Sequence, residues 1–324
     1  MPKSFSELED LVTARGLCRL CGACALICPV DVIRVSSHKA ELVGDCISCG
    51  LCLAVCPVTN QPPALEPRRI WLAKPKVEPP RFKTCGVTTV VLSSLLDRDA
   101  VDGVLVSRMG RGIVPASYLA TSREEVEAAG GANYFSSGHL HCLRNPLKEG
   151  KRLAVVGVGC CIEGVRHVLA RTRIYAKSLK YTLGLFCSSQ LDREMVSLLL
   201  REQSIPPEKV RAVNIKRGLV RIGLDDGRNF RFELPLFGAA KRRGCSFCLN
   251  VQNSCADLSV GELGAPDGRV IVVVRTKAGE DMLRLAGDAL DLEPAPANVM
   301  SSALAVELRK SRSLSKSSSS DPSG

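Results

Sequence analysis

Two cysteine runs of identical spacing stand at the start of this 324-residue chain. Each run has two, two and three residues between its cysteines and ends on a proline. The eight cysteines are Cys18, Cys21, Cys24, Cys28, Cys46, Cys49, Cys52 and Cys56. Soft thiolate ligands bind zinc or iron–sulfur clusters. The spacing CxxCxxCxxxCP favours cuboidal 4Fe-4S clusters, because a tight loop supplies three of the four corners.

The two runs are expected to exchange one ligand each. With this spacing, the fourth cysteine of a run binds the cluster of the other run. The predicted ligand sets are Cys18, Cys21, Cys24 and Cys56 for one cluster, and Cys46, Cys49, Cys52 and Cys28 for the other. Gly22 and Gly50 permit the positive φ that such loops need. Zinc sites usually take cysteines as CxxC pairs, so they do not explain the third cysteine that follows each pair after two more residues. A set of disulfides would require an oxidising compartment.

Composition indicates a globular protein with room for two or three domains, since 45% of its residues are hydrophobic. The N-terminal stretch "MPKSFSELEDLV" lacks the apolar segment of a signal peptide. No stretch approaches 18 consecutive apolar residues, so we expect no membrane insertion and a cytoplasmic location. In that compartment, 16 cysteines indicate metal ligands or reactive thiols.

The net charge of +11 is concentrated behind the cysteine runs. Basic side chains cluster in residues 68–83 and in the stretch "AAKRRGC". Such surfaces attract a phosphate-bearing cofactor or an acidic redox partner, or they serve only solubility. Few aromatic residues and no recognisable motif argue against a nucleic-acid partner.

The order of patterns predicts an α+β or α/β chain in four parts. Residues 1–60 form a ferredoxin-like two-cluster module with a short helix at 4–15, and residues 61–83 read as a proline-rich basic linker. Alternating strands and helices over 84–300 predict a helix-covered mixed sheet, with antiparallel hairpins around the "DDG" turn. The polar, serine-rich residues 301–324 are expected to be disordered.

A second group of cysteines is predicted at the ends of strands in this sheet. Cys160 follows a strand in a glycine turn, Cys187 ends another strand, and Cys245 and Cys248 form a CxxC. Ligand sites of open α/β sheets lie outside the carboxyl ends of the strands. These four could hold a third cluster. A zinc site, or a CxxC beside unrelated buried thiols, is equally compatible with the spacing.

From about residue 83 to residue 283 the chain resembles the family of coenzyme F420 hydrogenase/dehydrogenase beta subunits. The family's Gly-Gly-Val-Val-Thr flavin segment corresponds to "CGVTT", and its "GxPC" turn corresponds to "GVGC" at 157–160. "VDGVLV", "GLFC" at 184–187, the CxxC followed by "ADLSVG", and "VIVVVRTKAGEDM" match further motifs in the same order. Departures are Cys85 for a glycine, Gly159 for a proline, Asn250 for an aspartate, and "GGAN" for a Gly-Ser-Lys type stretch.

The resemblance implies an oxidoreductase that binds FAD at Gly86, Val87, Thr88 and Thr89, with a third 4Fe-4S cluster on the second cysteine group. Hydride from reduced coenzyme F420 would reach FAD, and single electrons would pass through the clusters to a ferredoxin-type or iron–sulfur partner. Electrons could also flow in the opposite direction, from the partner to coenzyme F420. Alternatives are a ferredoxin-dependent FAD reductase of another organic substrate, and an electron-transfer subunit of a hydrogenase or formate dehydrogenase complex.

No catalytic side chain is identified from the sequence. His139, His141 and His167 are more often packed or polar than catalytic. Cys85, Cys142, Cys161 and Cys255 are left over from the twelve predicted ligands and are interpreted as free thiols. Cys161 and Cys255 remain possible substitutes for a ligand in the second cysteine group.

Overall fold

The computed structural model describes residues 4–77, 86–136 and 138–318, with side chains to residue 312. The cysteine-rich module opens with α1 (Phe5–Leu8), and a π-helical turn (Glu9–Thr13) completes the short helix expected at 4–15. The rest of the module consists of α2 (Ala23–Ile27), β1 (Ile33–Val35), β2 (Ala40–Leu42) and α3 (Leu51–Ala54). β1 and β2 pair antiparallel.

A larger region follows, in which strands and helices alternate as predicted. Its first half is β3 (Arg69–Pro75), α4 (Gly86–Asp97), β4 (Gly103–Met109), β5 (Pro115–Ala120), α5 (Arg123–Ala128), α6 (Arg144–Lys148), β6 (Leu153–Val158), α7 (Gly159–Arg171), α8 (Arg173–Ser178), β7 (Leu179–Leu185) and α9 (Arg193–Glu202). Its second half is β8 (Val210–Lys216), β9 (Leu219–Leu224), β10 (Asn229–Glu233), α10 (Arg243–Ser246), β11 (Leu258–Gly261), β12 (Val270–Val274), α11 (Lys277–Ala286), β13 (Leu290–Pro294) and α12 (Ser301–Ser318).

Eight strands form one mixed sheet in the order β13-β3-β12-β11-β7-β6-β4-β5. β4, β6, β7 and β11 pair in parallel, and β12, between β11 and β3, is antiparallel to both. The carboxyl ends of β3, β4, β6, β7 and β11 therefore lie at one edge of the sheet. The predicted helix-covered mixed sheet is confirmed, and this edge is where ligands of open α/β sheets bind.

The two faces of the sheet have different covers. On one face, Val104 and Ala154 pack in a core with α4 and α11. On the other face, Leu105 and Val155 share a core with α7. Neighbouring residues of one strand thus alternate between the two cores, as the pleat requires. Residues 139–148 and the cysteine-rich module lie on this second face.

The predicted hairpins are also present. β8, β9 and β10 form a separate antiparallel three-stranded sheet. Its inward residues, including Val213 and Ile222, pack on Phe135, Leu200 and Phe237.

The linker prediction is wrong for residues 69–75. They form β3, which lies inside the sheet between β12 and β13. The flanking prolines suggested an extended spacer, but "RIWLA" carries apolar side chains that the sheet buries. Residues 78–83 of the predicted linker lie outside the described residues.

The expectation of disorder is wrong for residues 301–318, which form α12. Val299 and Met300 pack under the sheet against Leu72 and Ile271, and Ala303 is buried. The chain is thereby tethered where the helix begins, which a composition-based argument does not reveal. Within the described ranges, none of the helices combines the length and apolarity needed to cross a membrane.

Candidate metal centres

The N-terminal cysteines surround two cavities, in the grouping that the exchange of fourth ligands predicts. One cavity is lined by Cys18, Cys21, Cys24 and Cys56. The other is lined by Cys28, Cys46, Cys49 and Cys52. Burial raises the pKa of Cys24, and the nearby thiols of Cys18, Cys56 and Cys52 raise it further. Cys24 thus lies among the first set and also near the second.

Both cysteine loops have the same backbone conformation. Leu20 and Gly22 have φ of 54° and 86°, and Ser48 and Gly50 have φ of 54° and 71°. Each pair brackets the second cysteine of its run, and each glycine precedes a short helix. The positive φ predicted for the two glycines is confirmed. The Cβ of an L side chain at Gly22 would also collide with the backbone carbonyl of Gly138.

The second cysteine group converges at the carboxyl edge of the sheet. Cys160 lies in the first turn of α7, after β6, and Cys187 follows β7. Burial raises the pKa of the Cys187 thiol, and Cys245, Cys160 and Cys248 raise it further through their proximity. A hydrogen bond with Cys161, and then burial, raise the pKa of Cys160. The Gln190 backbone N–H donates to the Cys245 Sγ at 3.4 Å and its side-chain amide to the Cys187 Sγ at 3.9 Å, so these two thiols meet around one residue in a largely buried site.

The donor chemistry of this group fits an iron–sulfur cluster. Its members supply only sulfur, which is the donor type that 4Fe-4S clusters take from proteins. Arg19 and Lys310 place positive charge near Cys245, which compensates buried thiolates.

Arg19 joins this group to the module. Its guanidinium is 4% exposed and donates to the carbonyl oxygens of Gly244 (3.1 Å), Phe247 (3.2 Å) and Pro57 (3.4 Å). It also lies 3.7 Å from the Glu163 carboxylate. The first two carbonyls flank Cys245 and Cys248, and the third follows Cys56. One buried side chain thus bridges the second cysteine group and the first N-terminal set.

Two further arginines fix the module on the sheet domain. Arg242, 7% exposed, donates to the carbonyl oxygens of Cys18 (3.2 Å), Ser37 (3.3 Å) and His38 (2.6 Å). Arg144 donates to the carbonyl of Cys28 at 2.7 Å. Sequence reasoning found the basic stretch around Arg242 but interpreted it as surface. It missed Arg19, although this residue stands inside the first cysteine run.

The structure explains two departures from the family pattern together. A Cβ on Gly159 would lie 2.7 Å from the carbonyl oxygen of Asn250, so the glycine makes room for that segment. The Asn250 side chain donates to Glu163 at 2.8 Å and accepts from the Ser254 amide at 2.7 Å. An aspartate at this position could not donate to Glu163, whose pKa is raised by burial.

Apart from Cys161, which hydrogen-bonds Cys160, the histidines and remaining cysteines lie apart from the second cysteine group or have other partners. His141 contacts Asp31 at 3.2 Å, and His167 contacts the carbonyl of Asn60 at 3.1 Å. Burial lowers the pKa of His139 to about 4. Cys255 points at the carbonyl oxygens of residues 62 and 63, at 3.9 and 3.7 Å, and Cys142 is exposed. Cys85 lies outside the described residues.

The predicted flavin segment also lies at the carboxyl edge. Gly86, Val87 and Thr89 are buried and Thr88 is half-buried, at the start of α4. Since α4 connects β3 to the parallel strand β4, it must start at the edge where β3 ends. First-turn amides have no partner inside the helix and can bind phosphate oxygens. These residues therefore fit the pyrophosphate of a dinucleotide.

A basic groove lies beside the same edge. Its lining residues are Lys216, Arg217, Leu219, Arg221, Arg231 and Asp267. Arg221 and Arg231 stand directly opposite each other on β9 and β10, an arrangement of like charges that a bound anion would stabilise. Asp267 belongs to the turn between β11 and β12, which places the groove near the carboxyl end of β11.

Residues 71–144 and 150–298 match the N-terminal and C-terminal parts of the family described as coenzyme F420 hydrogenase/dehydrogenase, beta subunit. Together these two matches cover more than half of the chain. The chain belongs to the family of coenzyme F420 hydrogenase/dehydrogenase beta subunits. Residues 17–60 match a 4Fe-4S dicluster domain. The predicted family and module are confirmed, and the protein is an iron–sulfur oxidoreductase of F420 hydrogenase/dehydrogenase type.

Relatives of this family member span most of its length. One of the subunits of the F(420)H(2) dehydrogenase of Methanosarcina mazei is 27% identical over 323 residues, which cover 91% of this chain and 88% of that protein. An uncharacterized protein of Methanocaldococcus jannaschii is 27% identical over 326 residues, covering 88% and 90%. The coenzyme F420-dependent sulfite reductase of that organism is 28% identical over 300 residues, but the match spans only 47% of its length.

A solved structure has the same fold. A chain of the F420-reducing NiFe hydrogenase complex from Methanosarcina barkeri superimposes with a TM-score of 0.69. The match covers 80% of this chain and 94% of that chain at 21% identity. The likeness concerns the fold.

Proposed function

We propose that the protein exchanges electrons between coenzyme F420 and an iron–sulfur partner through FAD and three 4Fe-4S clusters. The observation that carries the proposal is the contiguity of the cysteine sets. The Cys160 Sγ lies 3.9 Å from the carbonyl oxygen of Arg19 in the first cysteine run, and Cys160 and Cys21 are buried in the same core. Cys24 packs against the core that holds Cys28 and Cys52 of the second set. That group therefore adjoins the first N-terminal set, which adjoins the second through Cys24.

The order of the sites follows from these contacts. Cys160, Cys187, Cys245 and Cys248 would hold the cluster nearest the flavin. Cys18, Cys21, Cys24 and Cys56 would hold the middle cluster, and Cys28, Cys46, Cys49 and Cys52 the outermost. Cys49 is exposed, and so are Val30, Leu42 and Ile47 around that cavity. The outer cavity is thus the natural exit toward a ferredoxin-type partner or a redox-complex subunit.

FAD is proposed at Gly86–Thr89, where it would interconvert two-electron hydride transfer and one-electron transfer. Gly86 and Val87 bring buried backbone amides to the carboxyl edge without a large side chain at the start of the helix. The chain's own task there is to hold the pyrophosphate and to exclude water.

Gly86→Leu is expected to lower the flavin content of the purified protein, because a large side chain would fill the space beside the first-turn amides. Flavin released by denaturation and iron per chain would be measured together. The iron content should stay unchanged, since Gly86 belongs to neither cysteine region. Val90→Leu, farther along α4, provides the control. Full flavin occupancy in Gly86→Leu would contradict this placement of FAD.

The basic groove suits the negatively charged tail of coenzyme F420, which carries a phosphodiester and carboxylates. Arg221→Gln combined with Arg231→Gln should raise the KM for the deazaflavin about fivefold, equivalent to about 1 kcal/mol of lost attraction. The increase should shrink at high salt. Arg228→Gln removes one positive charge from the same hairpin, outside the groove, where its partner is Asp226 at 2.8 Å, and serves as the control. If the double variant and Arg228→Gln had the same KM, the groove would not bind the deazaflavin substrate.

Anaerobic turnover of the purified protein with reduced F420 and a viologen dye tests the function. Bleaching of the flavin and reduction of the clusters by reduced F420 are the expected results. Protein that contains FAD and is reduced by ferredoxin, yet exchanges no electrons with F420 in either direction, would favour a reductase of another organic substrate. Iron without flavin would favour an electron-transfer subunit that depends on a partner for catalysis.

A further inference from the structure

The C-terminal helix contacts the loop that carries Cys245 and Cys248. Lys310 on α12 donates to the carbonyl oxygens of Cys245 at 3.0 Å and Cys248 at 3.1 Å. It also donates to the carbonyl of Ser188, the residue after Cys187. An ammonium group has three N–H donors, and all three find acceptors here. A single side chain thus binds the backbone beside three of the four cysteines.

Glu307 holds the next part of the same loop. Its Oε1 accepts the backbone N–H groups of Val251 at 2.9 Å and Gln252 at 3.3 Å, and its Oε2 accepts the Gln252 side-chain amide at 3.1 Å. Burial lowers the pKa of Arg275 to about 10, and Glu307 is among the groups that oppose this shift. The carboxylate thus also provides negative charge near a buried cation.

Helical spacing places these anchors on one face of α12. Ala303, Glu307 and Lys310 follow each other by four and three residues, so their side chains project from the same side. Ala303 is fully buried, whereas Leu304 and Leu308 on another side are exposed. The face of α12 that contacts the cysteine loop is therefore the one that carries Glu307 and Lys310. The contact consists of hydrogen bonds to named backbone groups.

The position of Lys310 has an electrostatic consequence. A cluster becomes more negative when it is reduced, so a fixed cation nearby stabilises its reduced form and raises its reduction potential. Lys310 acts from the α12 side of the loop, and Arg19 acts from the side of the module. Charge and hydrogen bonds come from the same group, so one substitution removes both.

We propose that α12 is a clamp on the third cluster, in which Glu307 and Lys310 fix the loop from Cys245 to Gln252 and Lys310 raises the reduction potential. Both are positioning residues. The inference rests on the proposed function, because it assumes a cluster on Cys160, Cys187, Cys245 and Cys248. It assigns to the C-terminal helix a role in the electron path.

The test uses full-length protein with Lys310→Met, Lys310→Arg and the control Lys148→Met, which removes an exposed lysine at the end of α6. Potentiometric titration followed by electron paramagnetic resonance should show a lower potential for the third cluster in Lys310→Met alone. The two N-terminal clusters should not shift, and Lys310→Arg should stay close to wild type. An unshifted potential in Lys310→Met with full iron content would overturn the proposal.

If Lys310→Met fails to retain the third cluster, Glu307→Gln tests whether α12 fixes the loop from Cys245 to Gln252. This variant keeps the lysine and weakens the bonds to the amides of residues 251 and 252. Faster hydrogen–deuterium exchange of those amides, or loss of iron from the third site alone, supports the clamp. Wild-type exchange at full iron content overturns it. A wild-type protein with only eight irons would refute the third cluster of the proposed function, while the exchange measurement would still test whether α12 holds the loop.

Discussion

Cys187→Ala is expected to lower the iron content from about twelve to about eight atoms per chain, because the proposed third cluster would lose one of its four thiolates. Electron delivery from reduced F420 to a ferredoxin-type acceptor should fall by about 100-fold or more, since even outer-shell changes at metal sites cost about 10- to 100-fold. Iron analysis and anaerobic turnover measure the two effects. The flavin should remain bound, because Gly86–Thr89 lie on α4, a different element.

The controls come from cysteines outside the three sets. Cys142→Ala removes an exposed thiol that contacts the Ser117 carbonyl, and it should keep all the iron. Cys161→Ala is the stricter control, because this buried thiol is the neighbour of Cys160 in α7. If Cys161→Ala lost four irons and Cys187→Ala lost none, the ligand set would have to be revised in favour of Cys161.

The N-terminal sites could be predicted from sequence because their geometry is local. Each run of cysteines folds as one loop and one short helix, and the positive φ of Gly22 and Gly50 follows from the spacing itself. The second cysteine group could be predicted only in part, because its members come from separate segments of the chain. Cys160 and Cys187 could be placed at the carboxyl ends of strands, but only the parallel pairing of β6 with β7 brings these ends together.

The packing of the module could not be predicted, since it depends on contacts between distant segments. We expected residues 1–60 to form a separate unit, joined to the sheet domain by a spacer. Instead, Leu26 and Val55 share a core with Leu140 and Ile162, and β3 lies within the sheet. The proline content around β3 concealed a strand whose burial is decided by its neighbours β12 and β13.

The charged residues of the site were the hardest to find. Lys310 lies in the basic, serine-rich stretch "LRKSRSLSK", and nothing in its neighbourhood along the chain distinguishes it from a solvent-exposed lysine. Arg19 similarly resembles any basic residue in a loop. Each acquires its role from carbonyl groups supplied by segments far away in sequence. A search for charged residues beside clustered cysteines would have found Arg19 but not Lys310.

Arg19→Met is expected to lower the thermal midpoint of the protein by about 5–15 °C, since breaking a buried charge pair costs about 3–5 kcal/mol. The variant leaves Glu163 buried without its cation, and it leaves the carbonyls of Gly244 and Phe247 without their donor. Because those carbonyls flank Cys245 and Cys248, electron transfer between the third cluster and the N-terminal clusters should slow as well.

A double variant separates the charge from the hydrogen bonds. Adding Glu163→Gln to Arg19→Met removes the uncompensated carboxylate, so part of the lost thermal stability should return. The slow electron transfer should persist, because the carbonyls still lack their donor. Arg152→Met is the control, since this arginine also pairs with carboxylates but lies at the surface. If Arg19→Met lowered the thermal midpoint no further than Arg152→Met, Arg19 would not be the residue that joins the module to the second cysteine group.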